Sequence, residues 1–369
     1  MGILSNLRRG NASKGVRAFS IAVVMLGAVA TAMLSLVLED LLPKGDPQAL
    51  FDPKRLAILV AVLLFAGSAV WLRYGVRQTS GTLFSVQVLD EGMRDRTQEQ
   101  GRNSRAVAAK KHMSIRVLHR WLDFETSTAN DVIDLQADCR EAGAQLQLLV
   151  NTTPDDGKHS VAPVMLWPIA MAVGGYLPAR THDFRMVELP TQPGEKEQQF
   201  ELPLMLEKDL PKLAARAERI EDATGERIGV HIGLAKFSDQ FYKHRFRHFR
   251  AAGVRTCYTI SDSDDILISE NHKPVFTGEE LKRLSRLVTA ELFRIKENHP
   301  DEELVVFANM PKTVAFAAGW QLMQYRRSFY RNTYLMHYDS ETETYIPMRV
   351  RSSQPATGFT VRQIRGGAA

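Results

Sequence analysis

The chain has 369 residues, 44% of them hydrophobic and 24% charged, with a formal net charge of +5. Residues 1–77 hold 9 Lys/Arg and 4 Asp/Glu, a surplus of 5, so residues 78–369 hold 38 of each sign. That balance excludes a broad nucleic-acid-binding surface on the larger part and leaves anion recognition to a few local basic groups, which suits a small ligand and no long nucleic acid.

The first predicted elements are two uncharged apolar runs, Ala18–Leu38 (21 residues) and Leu56–Leu72 (17 residues). At 1.5 Å per residue the first gives about 31 Å of helix, enough for a hydrocarbon core of roughly 30 Å. It is too long for the apolar core of a signal peptide, and a second run follows at once. Residues 1–77 are therefore expected to form a transmembrane hairpin with spans 18–38 and 56–72, turned through Pro43, Gly45, Pro47 and Pro53. Arg8, Arg9, Lys14 and Arg17 before the first span, and Arg73 and Arg77 after the second, place both termini in the cytoplasm by the positive-inside rule. Two cysteines, Cys139 and Cys257, agree with a reducing compartment.

Residues 78–113 are polar with little apolar periodicity and read as a juxtamembrane stalk, partly helical. Globular sequence follows over 114–350, in halves of about 114–200 and 225–350, and the Gly-rich polar residues 351–369 read as a flexible tail. The halves are marked by a repeat. Ala170-Met171-Ala172-Val173-Gly174-Gly175-Tyr176-Leu177 aligns with Ala315-Phe316-Ala317-Ala318-Gly319-Trp320-Gln321-Leu322 at an offset of 145, and Met165 with Met310. Strand-like runs flank each copy: Leu146–Val150 and Phe184–Leu189 in the first, Leu304–Ala308 and Thr333–Tyr338 in the second. The order strand, loop, small-residue helix, strand predicts duplicated α/β units, with the small residues letting each helix lie close on its sheet. A ligand then belongs in the crevice beyond the carboxyl ends of the strands.

Candidate site residues follow from that geometry. Asn309-Met310-Pro311-Lys312-Thr313 opens the second small-residue helix, with Asn309 as its expected N-cap and Pro311 in the first turn. Free N–H groups beside Lys312 offer an anion site, or simply a capped helix with a solvated lysine. The equivalent loop, Met165-Leu166-Trp167, has no basic residue; Trp167 stacks on a base or packs a core. The strand-like run Arg227–Ala235 ends at Lys236 and Phe237, again at a ligand edge. The helix after it carries Tyr242, Phe246 and Phe249 on one stripe and Lys243, Arg247 and Arg250 on another. His244 and His248 lack a third ligand at a convincing spacing, and Asp262, Asp264 and Asp265 read as a hairpin turn. Phosphate-loop, zincin, nucleophile-elbow and paired C-x-x-C patterns are absent. Sequence reasoning therefore expects no enzyme, metal or cofactor.

The second half, through Leu304-Val305-Val306-Phe307-Ala308, Asn309-Met310-Pro311, Ala315-Phe316-Ala317-Ala318-Gly319, the strand into Tyr338-Asp339 and the ending Tyr345-Ile346-Pro347-Met348, resembles SAVED domains. These are cytosolic sensors of bacterial cyclic-oligonucleotide-based anti-phage signalling (CBASS). The first half, with Ala162 to Ala170 and Gly174, looks like the partner half. The resemblance covers residues 114–350, and with the hairpin it points to the two-transmembrane SAVED type. It implies two fused CARF/Rossmann-like halves with one composite pocket for a cyclic tri- or tetranucleotide made by a cognate nucleotidyltransferase. It also implies ligand-induced homo-oligomers. Neither span holds an ionisable residue, so the hairpin does not resemble a standing ion pathway; small residues such as Gly27, Thr31, Ala66 and Gly67 permit close helix contacts. Clustered hairpins are then expected to disrupt the inner membrane. Two other readings stay open: a membrane-tethered enzyme acting on nucleotides or lipid-linked substrates through Asp239 or Asp264, and a membrane scaffold binding a protein partner.

Overall fold

The computed structural model describes residues 67, 81–153, 159–178, 184–190, 195–202, 216–221, 225–234, 238–261, 276–325 and 329–362. Both expected spans lie outside these residues except for Gly67; among the described residues no helix is long and apolar enough to cross a membrane. The chain divides into a small unit, Met1–Thr82 with Ala106–Ile115 and Asp155–Lys158, and a large unit, Leu83–Arg105, Arg116–Pro154 and His159–Ala369. In the small unit the Ser114 amide donates to the Gly81 carbonyl at 2.9 Å, and the Thr82 and Ser114 hydroxyls lie 2.7 Å apart.

The described residues form two α/β halves of the same design. The first runs β1 (Thr82–Asp90), α1 (Arg94–Lys110), β2 (Ser114–Leu122), the short α2 (Phe124–Ser127) with β3 (Thr128–Ala129) and β4 (Val132–Asp134), α3 (Gln136–Asn151), β5 (His159–Met165), α4 (Trp167–Gly174), β6 (Phe184–Glu188) and β7 (Gln198–Glu201). The second runs β8 (Arg216–Arg219), β9 (Arg227–Gly233), α5 (Ser238–Ala251), β10 (Val254–Ser261), α6 (Gly278–Asn298), β11 (Leu304–Asn309), α7 (Lys312–Tyr325), β12 (Thr333–Asp339), β13 (Thr344–Arg349) and β14 (Val361–Arg362). The first sheet has the order β2-β1-β5-β6-β7. The second repeats it as β10-β9-β11-β12-β13, and adds β8 at one edge and β4-β3 at the other. In both, the last strand turns back antiparallel on its neighbour. β5 and β11 start at His159 and Leu304, 145 residues apart, as do α4 and α7 at Trp167 and Lys312.

This repeat corrects two sequence boundaries. The expected stalk is β1 and α1: Phe84, Val86 and Val88 are buried in the main core, so the first half begins near Thr82 rather than Ser114. Nine apolar-rich residues between polar flanks are diluted in any longer window, which hid the strand. Leu146–Val150 is the end of α3, with Cys139, Ala142, Leu146 and Val150 on one buried helical face. The strand-like alternation of Leu146 and Leu148 is broken by burial, since Leu148 stays 63% exposed. The strand that precedes α4 is β5.

The described part of the expected tail, residues 351–362, packs back on the sheet. Gln354 accepts from the Val350 and Arg351 amides and donates to the Thr333 and Met348 carbonyls, while β14 pairs with β13. One hydrophobic core runs through both halves, and a second cluster around Phe249, Val305, Phe307, Tyr334 and Met336 lies on the other face of the larger sheet. The helix α6 shows why the central layer forms: a Thr277–Glu280 capping box starts it, and Leu281, Leu284, Val288, Leu292 and Ile295 line its buried face.

Candidate functional site between equivalent helices

The two halves meet through α4 and α7. A Cβ added at Gly174 would lie 2.2 Å from the Phe316 carbonyl oxygen, and one at Gly319 would lie 1.9 Å from that of Met171. Met171 and Phe316 are themselves equivalent positions, as are Gly174 and Gly319. Each half thus presents the same glycine to the same carbonyl of the other, the signature of a local two-fold relation within one chain. The small residues serve helix-on-helix packing, a correction to the expected helix-on-sheet role. Pro168–Gly174 and Val314–Ala318 are buried throughout.

This packing fixes the strand ends on which the candidate residues sit. Met165 and Met310 are buried at equivalent places in the main core. Leu166 and Trp167 are half-buried and packed against that core, so Trp167 is at least in part a packing residue. Asn309, Pro311 and Lys312 are half-buried, and Thr313 is fully buried. Asn309 does not cap α7: it is the last residue of β11, where its carbonyl accepts from the Leu234 amide at 2.8 Å, and sheet pairing has claimed its backbone. Lys236 and Phe237 lie outside the described residues, as do Asp262, Asp264 and Asp265.

The cap of α7 comes from the other half. The Glu188 carboxylate, at the carboxyl end of β6, accepts from both the Thr313 hydroxyl and, at 3.3 Å, the Thr313 amide. An anion therefore already occupies the helix start where the sequence suggested an open site. A second junction joins β1 to β12. Asp90 accepts from the Gly92 and Phe124 amides at 2.9 and 3.2 Å, and the Phe124 ring stands edge-on to His337, with centroids 5.8 Å apart. Burial drives the His337 pKa down to about 4, against the opposing pull of Asp339 and Asp90. Sequence reasoning missed Asp90, Glu188 and His337. The available signal was the repeat itself, which puts the ends of β1, β6 and β12 at the same edge as the chosen loops.

The helix α5 also departs from expectation. Its buried face is Arg245, His248 and Phe249, while Phe246 is outside at 37% exposure with the Arg245 guanidinium 4.2 Å above its ring. Arg245 is drawn inward by Glu218 of β8 at 2.7 Å, and His248 stands edge-on to Tyr345. Of the expected basic stripe, Arg247 and Arg250 are exposed, and Arg250 donates to the Glu221 carbonyl. Among the described residues no three His, Cys, Asp or Glu side chains gather as a metal site.

A duplicated α/β architecture with mixed sheets and a junction of strand ends is the class these features define. No protein-family model matches the chain, and no curated protein matches its sequence. Among solved structures the chain is similar to SAVED/CARF-domain-containing receptors called Cap4. The Acinetobacter baumannii receptor with the cyclic trinucleotide 3'3'3'-cAAA is 12% identical, with 78% of this chain and 55% of that one covered and a TM-score of 0.39. The same receptor with 2'3'3'-cAAA gives 13%, 72%, 50% and 0.38. The Moraxella osloensis receptor gives 13%, 62%, 46% and 0.33. The chain spans about half the length of the solved receptors it matches.

Proposed function

We propose that this chain is a membrane-anchored receptor, not an enzyme, that binds a cyclic tri- or tetranucleotide at the junction of its two halves. It resides in the bacterial inner membrane with both termini in the cytoplasm. Ligand binding gathers protomers, and the gathered hairpins of residues 1–77 disrupt the bilayer in anti-phage defence. The observation that carries the reading is the reciprocal Gly174–Phe316 and Gly319–Met171 packing, which sets two equivalent strand–helix turns on one shared core. A ring of repeated nucleotide units suits a duplicated site at the carboxyl edges of parallel strands. The sequence resemblance to SAVED domains names the same ligand class.

The chemistry divides among the loops. Lys236 and Lys312 supply positive charge for phosphates, Phe237 and Trp167 offer aromatic faces to bases, and Met165, Leu166, Met310 and Pro311 line the apolar floor. Asp90 and Glu188 already accept protein hydrogen bonds at this edge, so attraction for phosphate falls on those two lysines and on backbone donors. Clustering raises the local concentration of the spans without any new contact between ligand and lipid.

The test uses the full chain in detergent. Thermal unfolding is followed with a panel of cyclic di-, tri- and tetranucleotides, including the two trinucleotides seen with the similar receptors, and with linear AMP. One cyclic tri- or tetranucleotide should raise the midpoint and release dye from vesicles holding the protein, while AMP does neither. A flat response across the panel overturns the reading.

A further inference from the structure

The two halves differ at one edge. In the second half the outer side of β10 is covered by antiparallel β8, with Thr256 opposite Arg219 and Thr259 opposite Arg216. In the first half the equivalent strand β2 ends its sheet, and no strand lies beyond it among the described residues. It is nine residues long, SIRVLHRWL, with Val117 49% exposed and Arg116 and His119 exposed. The Ser114 amide points to the β1 side, where it donates to the carbonyl of Gly81 just before that strand. Strand alternation then turns the N–H and C=O groups of Val117 and His119 outward. A long edge rich in β-formers with free backbone groups is a template for another strand.

Charge says which strand. Arg116 and Arg120 share the face of buried Leu118 and Leu122. Arg120 is held by two carboxylates of α3, Asp138 at 2.6 Å and Glu141 at 2.8 Å, which leaves that corner one negative charge in excess. Arg116, four residues earlier, is exposed and has no ion pair among the described residues. Antiparallel pairing of two such strands about Leu118 sets Arg116 of each copy opposite Arg120 of the other, within reach of the surplus carboxylate. The same register makes Val117 and His119 the hydrogen-bonded pair. Shifting by two residues either way puts Arg116 opposite an apolar residue or off the corner and loses the compensation.

We infer that β2 is the self-association edge of this protein, pairing antiparallel with β2 of a second copy about a two-fold axis at Leu118. The inference deepens the assembly step of the proposed function and rests on that reading for its purpose. The pairing itself requires no particular ligand.

The full chain in detergent carries the test as a Val117→Cys/His119→Cys double variant under mild oxidation. Within one strand these positions are roughly 7 Å apart, past the span of a disulfide, so only a partner strand joins them. The native Cys139 and Cys257 are buried. A disulfide-linked dimer should form on non-reducing gels and should be lost when Arg116→Glu is added. In the chain without added cysteines, Val117→Pro removes only an outward N–H and should abolish the dimer seen by light scattering. Absence of the linked dimer with and without the nucleotide panel overturns the inference, as does a dimer indifferent to Arg116→Glu. Thermal unfolding of the same samples separates the two claims. A linked dimer without any nucleotide response keeps the edge and removes the receptor reading, and a nucleotide response without the dimer does the reverse.

Discussion

The two halves share one topology and differ in what covers it. On the outer face of the second sheet, Phe249, Ala252, Val254, Val305, Phe307, Tyr334 and Met336 form a hydrophobic cluster, and the buried Arg245 of α5 pairs with half-buried Glu218 of β8. In the first sheet the equivalent face of β1 sets buried Ser85 and Gln87 between buried Leu83 and Leu89. There α1 brings Thr97, Gln100 and Ser104 into burial, with the Ser85 and Ser104 hydroxyls 3.0 Å apart and Gln87 donating to Ser85 at 3.4 Å. Burying hydroxyls and amides against each other returns little net free energy, whereas burying aromatic and aliphatic side chains returns much. The second half is thus a three-layer structure with two apolar interfaces. The first half shares the main core, and on its outer face those polar groups are buried beside leucines.

That contrast can be broken most directly by Phe249→Ala, whose ring is fully buried against Phe307. It should cost about 3–5 kcal/mol by denaturant titration, and hydrogen exchange should show the loss confined to α5, β10 and their neighbours. Gly174→Leu or Gly319→Leu strikes what the halves have in common. Either overpacks a backbone contact and should cost about 3 kcal/mol, with protection lost in both halves together. If only one half loosened, the shared core would not be the unit of stability.

Acid sharpens the comparison through histidines of the second half. Burial holds the His231 pKa down to about 3 and the His248 pKa down to about 4, so both are neutral when folded. Unfolded histidine takes a proton near pH 6.5. The unfolded state therefore binds more protons below that value, and stability is lost as pH falls from about 6.5 toward 4. The midpoint should fall over that window, and His231→Asn should flatten the fall. The smallest effect is expected at Gln100, whose buried side-chain oxygen has no hydrogen-bond partner among the described residues. Gln100→Leu should be neutral or stabilising by up to about 1 kcal/mol, which would mark the polar interface of α1 as dispensable for folding.

Much of the second half was legible from sequence because strand, loop and small-residue helix follow each other without interruption from Leu304 to Leu322. The first half was harder to read for physical reasons. Its opening strand lies between polar flanks, and its Leu146–Val150 run alternates like a strand while packing as a helix. The loop residues Met165 to Trp167 and Asn309 to Thr313 were placed at equivalent strand ends by the offset alone. Their neighbours Glu188, Asp90 and His337 come from distant segments, and no local pattern joins Glu188 to Thr313 across 125 residues.

The sequence by itself determined the apolar runs, the neutral balance of the remainder and the 145-residue repeat, because hydropathy, charge and self-similarity are properties of the chain in order. Only the tertiary structure decided that the repeated glycines face each other rather than the sheets, and that a carboxylate caps α7. It also decided that one sheet edge is covered while its twin has no strand beyond it among the described residues. Each of these depends on which surfaces meet in space. Side-chain volume and backbone hydrogen bonding settle such contacts between segments that the linear order keeps apart.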